Sequence, residues 1–131
     1  MKTHTSKKLL IVEDDVLLRD LYIEILTNDG YAVDEAGDGA IGYKKALEGG
    51  YDLIILDIML PKKDGLEILT DLKKHKSKKP NGPIVIMTNL SQEKVVKQCL
   101  TLGASYFLIK STLTPNQVLD EVRIFLSRDS G

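Results

Sequence analysis

Tyr51 to Pro61 reads YDLIILDIMLP: four apolar residues, Leu53 to Leu56, run straight into Asp57, and apolar residues resume at once. An apolar run this short has the length of a strand buried on both faces rather than of a helix. A carboxylate set into it as a bare charge would cost several kcal/mol, on the order of what a whole domain has to spare. Asp57 therefore needs a reason other than packing.

Working outward, short apolar runs alternate with helical patterns. Leu9 to Val12 reads as the first buried strand, and Asp15 caps a helix carrying Leu18, Leu21 and Ile25 on one face, ended by Gly30. Tyr31 to Ala36 alternates more and reads as a half-exposed strand; Asp38 to Gly49 is a weaker helix bearing Ile41 and Leu47. Leu53 to Leu56 is the third strand, and Asp64-Gly-Leu-Glu67 has capping-box spacing for a helix through Lys74. Pro83 introduces a strand over Ile84 to Met87, and Ser91 caps a helix displaying Val95, Val96, Cys99 and Leu102 before Gly103. Ala104 to Ile109 is the fifth strand, and Thr114-Pro115-Asn116-Gln117 opens the last helix with a capping box and a proline at its first position. Five β-then-α units, with connections too long for hairpins, predict an α/β fold with a parallel sheet covered by helices on both faces.

A chain of 131 residues is the size of one compact domain. Its 43% hydrophobic and 28% charged residues are those of an ordinary globular protein. No apolar run approaches a membrane span, and MKTHTSKK leads into LLIV with no signal-peptide pattern, so export is not expected. The single cysteine, Cys99, excludes an internal disulfide and reads as a small apolar filler on a helix. A net charge of −1 calls for no polyanionic partner. The local exception is KKHKSKKP, Lys73 to Pro80, whose first half closes a helix and whose second half is a solvated loop; no aromatic residues interleave it for base stacking. Ser127 to Gly131 reads as a frayed tail.

In an open parallel sheet, ligands sit beyond the carboxyl ends of the strands. The first apolar run is followed by Glu13, Asp14 and Asp15, the third by Asp57, the fourth by Thr88 and the fifth by Lys110. Singly, each has a plain reading: a helix cap, a loop acid, a strand-end hydroxyl, a snorkelling lysine. Together they place carboxylates, a hydroxyl and an ammonium at one rim, and clustered acids demand a cation. Hard oxygen ligands suit Mg²⁺. Lysine and threonine would then hold a phosphoryl group, and Asp57 is placed to receive it. No phosphate-cradling loop of the G-x-x-x-x-G-K type occurs, so a tightly held nucleotide is not expected.

The motifs LLIVEDD, LDIMLPKKDG, IVIMT and GASYFLIK, spaced in this order on alternating strands, resemble the receiver domains of bacterial two-component response regulators over Lys8 to about Leu126. The resemblance implies a flavodoxin-like (βα)5 doubly wound five-stranded parallel sheet, strand order 2-1-3-4-5, with a receiver domain over 7–128 and terminal tails at 1–6 and 129–131. It implies that Asp57 is the phosphoacceptor, taking its phosphoryl group from a sensor histidine kinase or a phosphotransfer protein. Asp14, Asp57 and the backbone carbonyl of Met59 would bind Mg²⁺ (or Mn²⁺), with Glu13 acting through water. Thr88 and Lys110 would contact the phosphoryl group, and Phe107 matches an aromatic switch position. Pro61 and Gly65 match the loop after the acceptor. Met59 and Leu90 match positions that tune dephosphorylation; both are apolar and cannot orient a water, which implies a long-lived phosphoryl group. The face made by the fourth helix, fifth strand and fifth helix would bind a downstream protein or a second copy, with no direct nucleic-acid or membrane contact.

On this reading the chain is a cytoplasmic switch rather than an enzyme with turnover, and carries no output domain. Two residues depart from the family pattern. Ser111 stands where proline commonly follows the lysine, and Asn89 stands where a small residue follows the threonine and would narrow access for phosphate. Phe107 has no hydroxyl, so its switch would work by packing alone. A Mg²⁺-dependent phosphatase of the dehalogenase type is the enzyme alternative, but it wants a second aspartate where Met59 stands. A receiver-like docking module that no longer takes phosphate is the third.

Overall fold

The computed structural model describes residues 7–90 and 92–130, the last two of these by backbone alone. In chain order the elements are β1 (Lys8–Val12), α1 (Val16–Asn28), β2 (Ala32–Ala36), α2 (Gly39–Glu48), β3 (Leu53–Leu56), α3 (Gly65–Lys74), β4 (Ile84–Thr88), α4 (Glu93–Thr101), β5 (Tyr106–Ile109) and α5 (Pro115–Ser130), with a 3-10 turn over Lys110–Thr112. All strand pairs are parallel, in the order β2-β1-β3-β4-β5. The flavodoxin-like order expected from the resemblance is therefore present.

The sheet separates two cores. Leu9, Ile11, Leu53, Ile55, Val85 and Met87 point to the side covered by α1 and α5, where Tyr22, Leu26, Val118, Val122 and Phe125 meet them. Leu10, Val12, Ile54, Leu56 and Ile86 point to the side covered by α2, α3 and α4, against Ala46, Ile68, Leu69 and Cys99. Every residue of β3 is buried, as a strand with helices on both faces requires. Tyr106 stacks on Phe125 with ring centroids 4.0 Å apart. Arg123 on α5 grips Asp29 at the end of α1 through two nitrogens, at 2.5 and 3.1 Å.

Capping follows the side-chain chemistry. Asp15 accepts the Leu18 amide and Asp38 the Ile41 amide. At α3 both arms of the capping box form: Asp64 accepts the Glu67 amide at 2.8 Å and Glu67 the Asp64 amide at 3.2 Å. Thr114 and Gln117 make the same reciprocal pair at α5. Asp64→Ala is expected to lower stability by about 1 kcal/mol, read as an earlier denaturant midpoint with an unchanged slope. A midpoint equal to wild type would refute the capping role.

Four details differ from the sequence reading. The inner face of α1 is Leu18, Tyr22 and Leu26, a four-residue stagger, whereas Leu21 is 40% exposed. On α2, Ile41 faces outward and the inner face is Gly42 and Ala46, because α2 lies so close to β1 that a Cβ on Gly42 would come within 2.6 Å of Val12. α4 begins after Gln92, which makes no side-chain cap, and Ser91, the expected cap, lies outside the described residues. α5 runs to Ser130, past Ser127 where fraying was expected; tail residues 1–6 and 131 also lie outside the described residues.

Candidate functional site: an acidic rim bridged by a lysine

The rim is built by the ladder. The Glu13 amide bonds the Ala36 carbonyl at 3.0 Å and the Asp57 amide bonds the Val12 carbonyl at 3.2 Å, so each acid is held by the sheet one residue past its own strand. Thr88 is the last residue of β4 and pairs with Ile109, after which Lys110 follows. Four neighbouring strands thus deliver Glu13, Asp57, Thr88 and Lys110 to one end of the sheet.

Three of them are in direct contact. The Lys110 ammonium lies 2.6 Å from Asp57 Oδ2 and 2.5 Å from Glu13 Oε1. Glu13 is 2% exposed and Asp57 is 5% exposed, so this ion triad is screened from water far more than a surface pair would be. The remaining carboxylate oxygens have backbone donors: Met59 N–H to Asp57 Oδ1 at 3.2 Å and Asp15 N–H to Glu13 Oε2 at 3.1 Å. Burial pushes the Glu13 carboxyl above its ordinary range, more than the Lys110 and Asp15 hydrogen bonds pull it down. Burial alone would lower the Lys110 pKa, yet its bonds to Asp57 and Glu13 outweigh this and hold it raised. Two carboxyl groups thus share one ammonium in a nearly dry place.

Asp14 is the exposed member of the group. One carboxylate oxygen from each of Glu13, Asp14 and Asp57 lies within 4.8 Å of the others. An all-oxygen, all-anionic set with one water-facing member fits a hard divalent cation that keeps part of its hydration shell. Asp14 also lines an open cleft of about 520 Å³ together with Ile58, Met59, Leu60, Pro61, Asp64 and Leu90. Met59 and Leu90 are among the apolar residues that line that cleft, and Met59 is 62% exposed.

Thr88 is fully buried on the same rim with its hydroxyl accepting the Leu90 amide at 3.4 Å. Phe107 pairs in register with Ile86 and packs, half-buried, against the core under α4 along with Leu90, Val95 and Leu102. The loop after Asp57 is pressed between two helix starts. The Gly65 amide bonds the Ile58 carbonyl at 2.8 Å and the Gly39 amide bonds the Pro61 carbonyl at 3.1 Å.

Two groups escaped the sequence reading. Arg19 reaches back from α1 to donate to the Glu13 carbonyl at 2.7 Å and to Glu35 at 2.9 Å, pinning the acidic loop to β2. Its signal was its place one turn after the Asp15 cap, on the side facing the rim. Asn89 was noted only for its bulk beside Thr88; its side-chain oxygen also accepts the Ser111 amide at 2.8 Å, a bond the sequence did not announce. The Lys110–Ser111 peptide bond is trans, as are all the described bonds, and Lys110 reaches the acids with it so.

Residues 9–123 match the protein family described as "Response regulator receiver domain". The chain belongs to that family. Among curated relatives, this receiver domain is 33% identical over 130 residues to the transcriptional regulatory protein ResD of Bacillus subtilis, covering 99% of this chain and 52% of that protein. It is 32% identical over 123 residues to the transcriptional regulatory protein SrrA of Staphylococcus aureus, covering 94% and 49% respectively. The chain thus spans about half the length of these relatives. Among solved structures, a CheY-like response regulator receiver domain protein from Methanospirillum hungatei superposes with a TM-score of 0.83 at 26% identity, covering 95% of this chain and 96% of that one. The BeF3-activated N-terminal receiver domain of Klebsiella pneumoniae RstA superposes with a TM-score of 0.78 at 32% identity, covering 92% and 98%. Among the described residues, no helix of the receiver domain is long and apolar enough to cross a membrane.

Proposed function

We propose that this receiver domain is a phosphoacceptor switch in which Asp57 takes a phosphoryl group from the phosphohistidine of a sensor kinase or phosphotransfer protein. The observation that carries the reading is the buried triad: Lys110 stands within 2.6 Å of Asp57 and 2.5 Å of Glu13, beside the exposed Asp14. A structural ion pair has no use for the third acid or for the cleft beside it.

In the transfer, the phosphorus–nitrogen bond of the donor breaks as a phosphorus–oxygen bond to the Asp57 carboxylate forms, and the imidazole leaves with the bonding pair. The attacking atom is a carboxylate oxygen, so the step calls for no general base. The ladder bond to Val12 and the Met59 amide hold its carboxylate in place for in-line attack. Lys110 lies within reach of charge that develops on the transferred group's oxygens. Asp14, Asp57 and the Met59 carbonyl would hold Mg²⁺ or Mn²⁺, with Glu13 acting through water; the cation would supply neutralisation of the phosphoryl oxygens. The Thr88 hydroxyl, bonded to the Leu90 amide here, is the group that would turn to the new oxygens. Phe107, packed against the core under α4, would follow it by packing alone. The α4-β5-α5 face would then report the change to a downstream protein or a second copy, with no nucleic acid or membrane touched by the receiver itself.

The domain turns over no separate substrate on this reading, and its place is the cytoplasm. The test is intact-protein mass after incubation with phosphoramidate and Mg²⁺. One phosphoryl adduct is expected, absent in Asp57→Asn and in the presence of a chelator. It should persist for minutes or longer, since neither Met59 nor Leu90 can orient a water. No adduct on wild type, or an equal adduct on Asp57→Asn, would overturn the assignment.

A further inference from the structure

The backbone pairing of β4 and β5 ends at Thr88 and Ile109, just short of the two loops that carry the chemistry of the rim. Beyond that pair the Asn89 side chain takes over from the ladder, its Oδ1 accepting the Ser111 amide at 2.8 Å. The 3-10 turn Lys110–Thr112 has two further bonds: the Thr112 hydroxyl donates to the Ile109 carbonyl at 2.9 Å and the Leu113 amide to the Lys110 carbonyl at 3.2 Å. These shape the turn but say nothing of where it sits. Of the three bonds, only the one to Asn89 ties the turn to another strand's loop.

The peptide unit that Asn89 holds is the one immediately after Lys110. Its orientation sets the start of a long flexible side chain that must end between two buried carboxylates, at 2.5 and 2.6 Å. Misplacement of a reacting group by about 1 Å costs as much as about a hundredfold in rate. A proline at 111 would have no N–H to donate, and an alanine at 89 no oxygen to accept, so the bond needs an acceptor side chain at 89 and any residue but proline at 111.

We propose that Asn89 is a positioning residue: by taking the Ser111 amide it aims Lys110 at Asp57 and joins the loop after Thr88 to the loop after Lys110. The phosphoacceptor reading enters only through the activity arm of the test. Asn89→Ala, Asn89→Asp and Ser111→Ala are compared with wild type in the full chain. The Ser111 amide and Lys110 ammonium resonances are followed by NMR in the metal-free protein, and phosphoramidate uptake is followed by mass. Asn89→Ala should shift the Ser111 amide upfield, move the Lys110 resonance and slow uptake about fivefold, the worth of one ordinary hydrogen bond. Asn89→Asp keeps an acceptor oxygen and should return the Ser111 amide downfield, while Ser111→Ala keeps the N–H and should match wild type throughout. A Lys110 resonance and uptake rate unchanged in Asn89→Ala, or Ser111→Ala slowed as much as Asn89→Ala, would overturn the assignment. A wild type that takes up no phosphoryl group counts against the phosphoacceptor reading instead; the Lys110 resonance then decides for or against Asn89 by itself.

Discussion

Lys110→Ala is expected to slow phosphoryl uptake by Asp57 about a hundredfold, the usual loss when one fixed charge-stabilising donor is removed from a preorganised site. The ammonium is held by two carboxylates, and at 12% side-chain exposure little water can replace it. The same variant should change how stability depends on pH. In wild type the raised Lys110 pKa means that its pairing stabilises the fold below the ordinary lysine value of 10.5 and is lost as pH rises through the folded value. Without the lysine, Glu13 loses the bond that now holds its pKa down against burial, so its pKa climbs further from 4.5. A carboxyl with a raised folded pKa binds its proton more tightly in the native state. Stability is then greatest below pH 4.5 for that group and falls as pH rises through its folded value. Metal-free Lys110→Ala should therefore lose Tm more steeply than wild type as pH rises from the acid range toward neutrality. Equal uptake, or parallel Tm profiles, would show that Lys110 bears little of the load.

Gly39→Ala is expected to cost about 3 kcal/mol or more, at the top of the range for overpacking a filled site. A Cβ there would stand 1.4 Å from the Lys63 carbonyl oxygen and 2.4 Å from its carbon, backbone atoms with no rotamer to change. Gly39 opens α2 and donates its amide to the Pro61 carbonyl, so relief of the clash must push either the helix start or the loop after Asp57 outward. Gly37→Ala is the fair comparison: its Cβ would meet the Arg19 guanidinium at 3.1 Å, a side-chain contact at a longer distance than the Lys63 backbone, and should cost far less. Chemical denaturation of the pair reads the difference, and a Gly39→Ala midpoint near that of Gly37→Ala would refute the close approach.

What could be read in advance was what repeats or caps. β3 and the α3 capping box are where YDLIILD and Asp64-Gly-Leu-Glu67 put them, because a buried strand and a reciprocal cap each leave a local mark. The site residues were legible for a related reason: topology alone brings strand ends together, so Glu13, Asp57, Thr88 and Lys110 needed no knowledge of side-chain contacts to be placed on one rim. On α1, Leu21 and Tyr22 are neighbours and both apolar, so apolarity does not choose between them; on α2 it is a poor guide because a strand side chain, Val12, packs directly on the helix backbone. There Gly42 is worth more than Ile41. The Asn89–Ser111 bond joins residues 22 apart through one side-chain oxygen, and no pattern of hydrophobicity or charge encodes such a contact.

The sheet has two unlike margins. β2 is an edge strand whose residues Asp34 and Glu35 are engaged by Lys45 and Arg19, so a foreign strand approaching there meets fixed charges already committed to partners. β5, the other edge, reads Tyr106-Phe-Leu-Ile109 and carries no charge at all. Charged edges resist the growth of a sheet from one molecule into the next, and bare apolar ones do not. At high concentration or during heat stress, this protein should begin to aggregate from its β5 margin, while the β2 margin stays inert.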